Sequence, residues 1–310
     1  MSVVRAAVAI LQRPDGQVLL AERPVGKPWE GWWEFPGGKI EAGETPFHAL
    51  VRELREELGV EVEKATPWML RRFDYPDRKV ELHFFIVRDW QHEPRSCEGQ
   101  QLSWQHPTAL TVGPMLPANE PILAALSLPS IYAISNAAEL GEKAFLNRLQ
   151  SALDQGLRLL QLREKHLSAD GLQRLAEQVL KMTQPYQARV LLNGDVDTAR
   201  ALGFSGVHFS AASLMALSER PQQMLCAASC HDARELAHAQ SLALDFVVLS
   251  PVLPTLSHPD APVLGWDGFA DLAHESSLPV YALGGMQPEY LEQAWQQGAH
   301  GIAMMRGAWG

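Results

Sequence analysis

The chain has 310 residues, a length that predicts two domains at roughly 100–200 residues each. Its net charge of −10 argues against binding to duplex nucleic acid or to an anionic membrane, and no apolar run reaches the ~20 residues of a membrane span. The apolar N-terminus runs into a turn signal without a cleavage site, which favours a strand over a signal peptide. Three cysteines without a CxxC pair indicate no disulfide framework, no zinc site and a reducing cytoplasmic location.

The first 128 residues indicate a mixed α/β domain. An Asp15-Gly16 turn between two apolar runs predicts a β-hairpin. Thr45 is a suitable N-cap for a helix, and Gly59 is a suitable residue just beyond its C-terminus. The predicted elements, in chain order, are strands at Val3–Leu11 and Gln17–Arg23, a helix at Thr45–Leu58 and a strand at Lys79–Trp90.

From residue 129 onward, short β-type runs alternate with helix-length segments. Eight such runs indicate a (β/α)₈ barrel, so the chain is predicted to be α/β throughout. The linker is expected at Ala125–Ser130, which gives domains at 1–128 and 130–310. The eight predicted barrel strands are Ile131–Ser135, Arg158–Glu164, Arg189–Asn193, Gly206–Ser210, Leu225–Cys230, Phe246–Val252, Val280–Gly285 and Gly301–Met305.

An acidic helix face is the strongest chemical signal in the sequence. Glu53, Glu56 and Glu57 are spaced by three and four residues, so they share one face of the predicted helix. Three carboxylates in that position repel one another unless a cation neutralises them, and hard oxygen ligands suit Mg²⁺ or Mn²⁺. Arg52 lies four residues before Glu56 and can orient a carboxylate of the same helix. The preceding Pro36-Gly37-Gly38 lets backbone carbonyls approach a metal closely.

These residues belong to a longer pattern that is similar to the Nudix box. A generic acidic string favours a merely solvated helix face, but this spacing extends over residues 38–60. The resemblance implies an α/β/α sandwich around a mixed sheet. It also implies a hydrolase of nucleoside diphosphates linked to another moiety, in which metals on the helix carboxylates activate water and stabilise the leaving pyrophosphate. The pattern is Gly38-x5-Glu44-x7-Arg52-Glu53-Leu54-x-Glu56-Glu57-x-Gly59-Val60.

Four further motifs make residues 1–128 similar to the MutT-type 8-oxo-dGTP diphosphatases. The resemblance implies Mg²⁺-dependent hydrolysis of 8-oxo-dGTP to 8-oxo-dGMP and pyrophosphate, with Mn²⁺ as a substitute, which would cleanse the nucleotide pool. The second domain leaves open another nucleotide or a thiamine-pathway diphosphate as the substrate. The motifs are Trp33-Glu34-Phe35-Pro36-Gly37-Gly38-Lys39-Ile40-Glu41, Tyr75-Pro76-Asp77-Arg78, Glu98-Gly99-Gln100 and Pro117-Ala118-Asn119-Glu120-Pro121.

The same resemblance implies roles for individual residues. Glu44 is expected to support either Arg52, a catalytic-site arginine, or the helix geometry, and not to bind metal. Either Glu53 or Glu98 is expected to take the proton from water. The implied metal ligands are the Gly37 carbonyl, Glu53, Glu56, Glu57 and Glu98.

Three residues are implied in nucleotide binding. Asn119 can offer both a donor and an acceptor to an oxidised purine, although it could instead be a turn or helix-cap residue. Arg23 would lie near the nucleotide, with a surface charge at a strand end as its alternative. Phe35 would line the base pocket or belong to the core.

Residues 130–310 resemble the family of thiamine-phosphate synthases and thiazole tautomerases. The resemblance implies a site for thiazole phosphate or thiamine phosphate at the carboxyl ends of the barrel strands. Its phosphate or substrate candidates are Gln161, Arg163, Lys165, Asn193 and Gly285. The motifs are Gln161-Leu162-Arg163-Glu164-Lys165, Gly206-Val207-His208, Ser229-Cys230-His231, Pro259-Asp260-Ala261-Pro262 and Gly284-Gly285.

The barrel departs from the synthase pattern where a metal and a pyrophosphate would bind. Asn193-Gly194-Asp195 stands in place of Asn-Asp-Arg, and Ser213 in place of a second aspartate. Thr255-Leu256-Ser257-His258 stands in place of a Thr-x-Thr-Lys clamp. A pyrophosphate leaving group is poorly stabilised without these cations, so loss of synthase activity is one expectation. The barrel would then be a phosphate- or thiazole-binding remnant, a regulatory module or a stabilising partner. The alternative is that it remains an active synthase.

Overall fold

The structure, a computed structural model, describes residues 3–74, 79–255 and 262–310. The chain divides into two compact units, residues 1–128 and residues 129–310. Among the described residues, no helix is both long and apolar enough to cross a bilayer.

The N-terminal unit is built from two sheets and two helices in its described part. Its elements are β1 (Val3–Leu11), β2 (Val18–Glu22), β3 (Trp33–Glu34), β4 (Gly37–Lys39), α1 (Pro46–Leu58), β5 (Glu61–Asp74), β6 (Lys79–Gln91), β7 (Leu102–Gln105) and α2 (Glu120–Leu126). A mixed four-stranded sheet has the order β4-β1-β6-β5, with β1 and β6 parallel. A three-stranded sheet has the order β3-β2-β7 and is antiparallel.

Strand β1 separates two hydrophobic cores because the side chains of a strand alternate between its faces. Ala7, Ala9 and Leu11 pack in one cluster with the apolar face of α1. Val8 and Ile10 belong to a second cluster that includes apolar residues of α2. The predicted α/β/α sandwich around a mixed sheet is therefore confirmed.

The predicted β-hairpin between the first two strands is wrong. The turn itself forms, since the Gly16 amide donates to the Arg13 carbonyl at 2.9 Å and Gly16 has a φ of 85°. Among the described residues, one bridge, between Gln12 and Val18, joins the two arms, and β1 and β2 then enter different sheets. Strand β1 pairs with β6 along one whole edge and with β4 at Ala6–Val8 of the other edge, so β2 meets it only at its end.

The C-terminal unit is a closed barrel of eight parallel strands in the order β10-β11-β12-β13-β14-β15-β8-β9, which confirms the predicted fold. The strands are β8 (Ile131–Ile134), β9 (Leu159–Leu162), β10 (Arg189–Asn193), β11 (Gly206–Phe209), β12 (Leu225–Cys230), β13 (Phe246–Leu249), β14 (Val280–Ala282) and β15 (Gly301–Met304). The helices are α3 (Ala137–Leu140), α4 (Glu142–Asp154), α5 (Ala169–Thr183), α6 (Val196–Leu202), α7 (Ala211–Met215), α8 (Ala233–Ser241), α9 (Gly265–His274) and α10 (Leu291–Gln296). Short 3₁₀ helices occur at Gln184–Tyr186, Pro288–Tyr290 and Arg306–Trp309.

Three aromatic side chains pack against one another inside the barrel. Tyr132, Phe246 and Tyr281 are fully buried, and their ring centroids lie 5.1–5.8 Å apart. Burying a side chain of this kind contributes roughly 1.5–3 kcal/mol relative to leaving it exposed. Large rings therefore help to fill a barrel made from a short sequence.

The connection between the two units is shorter than the predicted linker. Helix α2 continues through Leu126, and β8 begins at Ile131. Ala125 and Leu126 are therefore helical, and the segment between the elements is 127–130.

Candidate active site

Helix α1 carries acidic side chains on one side and apolar side chains on the other. The Thr45 hydroxyl accepts a hydrogen bond from the His48 amide at 3.2 Å, and the helix ends at Gly59, whose φ is 65°. Both predicted ends are thus confirmed. The buried apolar face fixes the rotation of the helix, so the predicted glutamates lie together on its partly exposed side.

Two glycines bring the backbone of β4 close to this acidic face. Gly37 has a φ of 143°, and a Cβ there would lie 2.2 Å from the Ala7 carbonyl oxygen. A Cβ on Gly38 would lie 2.1 Å from the carboxyl carbon of Glu53. The Gly37 amide donates to Glu57 Oε2 at 3.3 Å. A larger residue at Gly37 would push β4 away from β1, and one at Gly38 would push β4 away from Glu53, which explains the glycine pair.

Arg52 links the start of the motif to the helix carboxylates. It donates to both oxygens of Glu44, at 2.8 and 2.9 Å, and to Glu53 Oε1 at 2.7 Å. It also donates to the Lys39 carbonyl at 3.0 Å. The Arg52 guanidinium, helped by the Glu41 amide, lowers the pKa of Glu44 to about 2. Glu44 therefore anchors Arg52, and Arg52 orients Glu53.

Glu98 reaches the site from a loop that Gln100 holds against the helix. The buried Gln100 side chain accepts from the Glu98 amide and donates to the Glu57 carbonyl, each at 2.9 Å. Lys27 Nζ lies 2.8 Å from Glu98 Oε2, and this contact raises the pKa of Lys27. The sequence pattern assigned no role to Lys27 or Gln100, because neither lies on the acidic helix.

The carboxylates are close enough to perturb one another. Burial, followed by the negative charges of Glu53 and Glu98, raises the pKa of Glu57 to about 7, and the Gly37 amide opposes this shift. A divalent cation would relieve this repulsion, and carboxylate oxygens are the ligands that hard cations prefer. The chemistry of the donors therefore fits a divalent metal.

The described side chains do not, however, form a closed ligand set. Within residues 3–74, 79–255 and 262–310, no three Asp, Glu, His or Cys side chains converge into a metal-binding group. Glu53 instead contacts Arg52, and Glu98 contacts Lys27. A bound metal would compete with these two cations for the carboxylates.

Hydrogen bonds bring the chain segments of the nucleotide candidates together. The Arg23 amide donates to the Trp32 carbonyl at 2.8 Å, and the Leu116 amide donates to the Trp33 carbonyl at 2.9 Å. The end of β2, strand β3 and the segment before α2 are therefore neighbours. Phe35 and Asn119 are both buried. Residues 75–78, which include the Tyr75-Pro76-Asp77-Arg78 motif, lie outside the described residues.

The polar contacts of Arg23 and Asn119 differ. Arg23 Nη1 lies 2.5 Å from Glu34 Oε1, and Arg23 Nε donates to the Pro28 carbonyl at 2.7 Å. Burial raises the pKa of Glu34, although Arg23 opposes the shift. Asn119 precedes α2, but its side chain makes no capping hydrogen bond. The amide group is therefore not used as a helix cap.

The barrel mouth contains a cavity of about 520 Å³ at the carboxyl ends of the strands. Gln161, Arg163 and Gly285 of the predicted set line it. Lys165 is exposed and does not line the cavity, and Asn193 Nδ2 donates to the His208 carbonyl at 3.2 Å. The structure thus brings together three of the five barrel candidates. His208, Ser229, His231 and Arg306, which were not among the site candidates, also line it.

The altered synthase positions that the structure describes do not form a metal ligand set. Asp195 accepts hydrogen bonds from the amide and the hydroxyl of Thr198, each at 2.8 Å, as the N-cap of α6. Ser213 contacts the Ser210 hydroxyl at 2.9 Å. No Asp or Glu is found among the described residues that line the cavity. The positions 256–261, which hold most of the altered clamp and the Pro259-Asp260-Ala261 motif, lie outside the described residues.

Comparisons with known proteins agree with this division of the chain. The NUDIX domain family matches residues 2–126, and the thiamine monophosphate synthase family matches residues 131–308. A putative thiamine-phosphate synthase 2 of Aquifex aeolicus is 34% identical over 57% of this chain and 96% of its own length.

Two relatives of the first domain come from Escherichia coli. An 8-oxo-dGTP diphosphatase is 36% identical over 41% of this chain and 98% of its own length. A CTP pyrophosphohydrolase is 38% identical over 40% of this chain and 92% of its own length. The chain therefore belongs to the thiamine monophosphate synthase family, and it carries a Nudix pyrophosphohydrolase domain with MutT-like relatives before that domain.

Proposed function

We propose that, in the cytoplasm, the Nudix domain hydrolyses 8-oxo-dGTP to 8-oxo-dGMP and pyrophosphate with Mg²⁺ as its cofactor. The main support for hydrolase activity is the acidic face of α1, where neighbouring carboxylates help to raise the pKa of Glu57. The name of the 8-oxo-dGTP diphosphatase relative supports this substrate. The CTP pyrophosphohydrolase relative supports the alternative that a different nucleotide is preferred.

In this proposal the chain supplies oxygen ligands, orientation and a base. Bound Mg²⁺ would make a nucleophile available from water at neutral pH and stabilise charge on the departing pyrophosphate. Arg52 orients Glu53, and Gln100 fixes the loop of Glu98, so the two candidate bases are held on different elements. Glu53 or Glu98 accepts the proton of the attacking water. The ligands would be the Gly37 carbonyl, Glu53, Glu56, Glu57 and Glu98.

Nucleotide recognition is assigned to Arg23, Phe35 and Asn119. Asn119 supports this role because its buried amide is not spent on capping α2, so it can present a donor and an acceptor to a purine edge. We expect Asn119→Ala to reduce the preference for 8-oxo-dGTP over dGTP about tenfold, because only the oxidised base has an N7–H that can donate to the Asn119 carbonyl oxygen, and this bond is lost. Ser127→Ala, at the other end of the same helix, is the control and should leave the preference unchanged.

A substrate panel separates the candidate activities. Initial rates with Mg²⁺ are measured for 8-oxo-dGTP, dGTP, CTP and hydroxymethylpyrimidine diphosphate. The proposal expects the highest kcat/KM for 8-oxo-dGTP. A higher value for CTP or for hydroxymethylpyrimidine diphosphate would show that the enzyme is a Nudix hydrolase of a different substrate.

For the barrel, we propose binding of thiazole phosphate or thiamine phosphate without synthase turnover. The mouth presents Arg163 and the backbone of Gly285, which suits a phosphate group, and Arg306 also lines it, paired with Glu139. The altered positions support the loss of turnover, because Asp195 is committed to capping α6 and Ser213 is neutral. An active synthase and a sensor that tunes the hydrolase are the alternatives.

Calorimetry with hydroxyethylthiazole phosphate, followed by a synthase assay with hydroxymethylpyrimidine diphosphate, tests this proposal. Binding without product is the expected result. Formation of thiamine phosphate would identify an active synthase, and the absence of binding would leave the barrel a structural role. A change in nucleotide hydrolysis on addition of the thiazole compound would favour the sensor.

A further inference from the structure

Four polar side chains form a continuous hydrogen-bonded chain beside the barrel mouth, and three of them line its cavity. Gln161 Nε2 donates to the Tyr132 hydroxyl at 3.1 Å, and that hydroxyl lies 3.1 Å from His208 Nδ1. His208 Nε2 lies 2.9 Å from the Ser229 hydroxyl. Tyr132 and His208 are at most 1% exposed, whereas Ser229 is half-buried and lines the cavity.

The direction of this chain follows from counting protons. The buried Tyr132 hydroxyl accepts from Gln161 Nε2, and its own proton needs an acceptor. Of its two hydrogen-bond partners only His208 Nδ1 can accept, so the proton is directed to that nitrogen. Burial and the nearby charge of Arg163 lower the pKa of His208 to about 3, so the ring is neutral and carries a single proton. That proton is therefore on Nε2 and is donated to Ser229.

This direction excludes a catalytic pair in which His208 activates Ser229 as a nucleophile. A nucleophilic serine needs a histidine nitrogen that can accept its proton. Here Nε2 of His208 already carries a proton, and Nδ1 is occupied by Tyr132. Ser229 consequently cannot be activated by His208, and its own hydroxyl proton remains available to the cavity.

We propose that Tyr132 and His208 are positioning residues that fix Ser229 as a hydrogen-bond donor to the ligand of the barrel. The mouth then selects a group with a free lone pair at that point, such as an unprotonated ring nitrogen or an anionic oxygen. Arg163, which lines the mouth, favours the same anionic, acceptor-rich class of ligand, whereas the charge of Arg306 is partly balanced by Glu139. This inference deepens the binding function proposed for the barrel and rests on it for the identity of the ligand.

Nitrogen-15 NMR of histidine-labelled full-length protein tests the direction without any ligand. His208 is assigned with a His208→Gln variant, and its ring is expected to be entirely in the Nε2–H form. Tyr132→Phe removes the donor to Nδ1, so both neutral forms should then be present. A ring protonated on Nδ1 in the wild-type protein, or an unchanged spectrum in Tyr132→Phe, would overturn the proposal.

Tyr281→Phe is a closely matched control. Tyr281 is also a fully buried barrel tyrosine, and its ring centroid lies 5.8 Å from that of Tyr132. Its hydroxyl donates instead to the Pro129 carbonyl. The control should keep the Nε2–H form of His208. If it disturbs His208 as much as Tyr132→Phe does, the effect is a general loosening of the core and the proposal fails.

Calorimetry with hydroxyethylthiazole phosphate tests the link to binding. Ser229→Ala and Tyr132→Phe should each weaken affinity about 3- to 10-fold, the effect of one lost hydrogen bond. The double variant should be no weaker than Ser229→Ala alone, because Tyr132 acts through Ser229. Additive losses would overturn this. If the wild-type protein does not bind the compound, the proposed ligand is wrong, whereas the NMR result still decides the direction of the chain.

Discussion

Carboxylates crowd the Nudix site, whereas no Asp or Glu is found among the described residues that line the barrel mouth. In the Nudix site, the cations that face the carboxylates are on long, partly exposed side chains, Arg52 and Lys27. In the barrel, polarity is set by neutral groups that are almost completely buried, Tyr132 and His208. The first site should therefore respond to added metal and to pH, and the second should depend on the integrity of its hydrogen-bonded chain.

The difference also explains how the carboxylates of the Nudix site can lie close together although no metal-binding group is formed among the described side chains. The exposed ion pair between Lys27 and Glu98 is worth only about 0.2–1 kcal/mol, so Lys27 can balance the charge of Glu98 and still be displaced by a metal. The buried hydrogen-bonded chain of the barrel cannot exchange partners in this way. A polar group there that lost its partner would have no water to replace it, which is energetically costly. The described part of the molecule contains no fully buried side-chain nitrogen or oxygen that lacks a hydrogen bond.

Removal of one carboxylate from the acidic face is expected to have the largest effect. Glu57→Gln keeps the size of the side chain but removes a charge that we expect to act on the transition state. Turnover of the preferred nucleotide should fall at least ~10²-fold, with a small change in KM. Glu63→Gln, on the exposed part of β5 outside the acidic face, is the control. Near-normal hydrolysis by Glu57→Gln would contradict the metal-ligand assignment.

Loss of one cation from the barrel mouth tests whether the two sites are independent. Arg163→Gln should weaken binding of hydroxyethylthiazole phosphate about tenfold, because a charged hydrogen-bond donor is lost. Nucleotide hydrolysis should stay at the wild-type rate. Arg174→Gln, on the exposed side of α5, controls for the change in net charge. A matching change in hydrolysis would indicate coupling between the domains and would favour the sensor.

Local spacing made part of each site predictable. The acidic face of α1 depends only on residues three and four apart, and both ends of that helix follow from single residues, Thr45 and Gly59. The barrel was predictable because its strand pattern recurs eight times. The failed hairpin shows the limit, because the free edges of β1 are decided by strands far away in sequence.

The contacts that sequence reasoning missed are mostly long-range. Lys27 meets Glu98 across 71 positions, and Tyr132 meets His208 across 76. Gln100 was part of a quoted motif, but its bond to the Glu57 carbonyl depends on how the loop folds back on α1. No spacing rule connects such pairs, because the sheet topology brings them together. Motifs could therefore predict the acidic candidate ligands, but not the groups that hold them in place.

Removal of Lys27, which faces Glu98, tests whether this lysine competes with a metal for the carboxylate. Lys27→Met frees Glu98 from its ammonium partner, so Mn²⁺ should bind up to about fivefold more tightly, the equivalent of one exposed ion pair. The measurement is an electron paramagnetic resonance titration of free Mn²⁺. Lys79→Met is the matched control, because Lys79 pairs with Asp74 at 3.2 Å on the strands β5 and β6. Unchanged or weaker binding in Lys27→Met would show that the lysine does not compete with the metal.

The smallest expected effect is on the pH dependence of stability without metal. The pKa of Glu57 is about 7 in the folded chain and near its ordinary value of 4.5 when unfolded. The folded state therefore binds more protons between these values, so this contribution to stability is fully present below pH 4.5 and is lost as the pH rises through 7.

With a chelator present, the Tm of the wild-type protein should fall by about 2–4 °C more than that of Glu57→Gln between pH 5 and pH 8. Glu34 also has a raised pKa and changes stability in the same direction, so the quantity to compare is the difference between the two proteins. Parallel pH profiles would mean that Glu57 is not held among the negative charges of Glu53 and Glu98. The acidic face would then resemble an ordinary solvated helix surface, and the electrostatic contrast between the Nudix site and the barrel mouth would disappear.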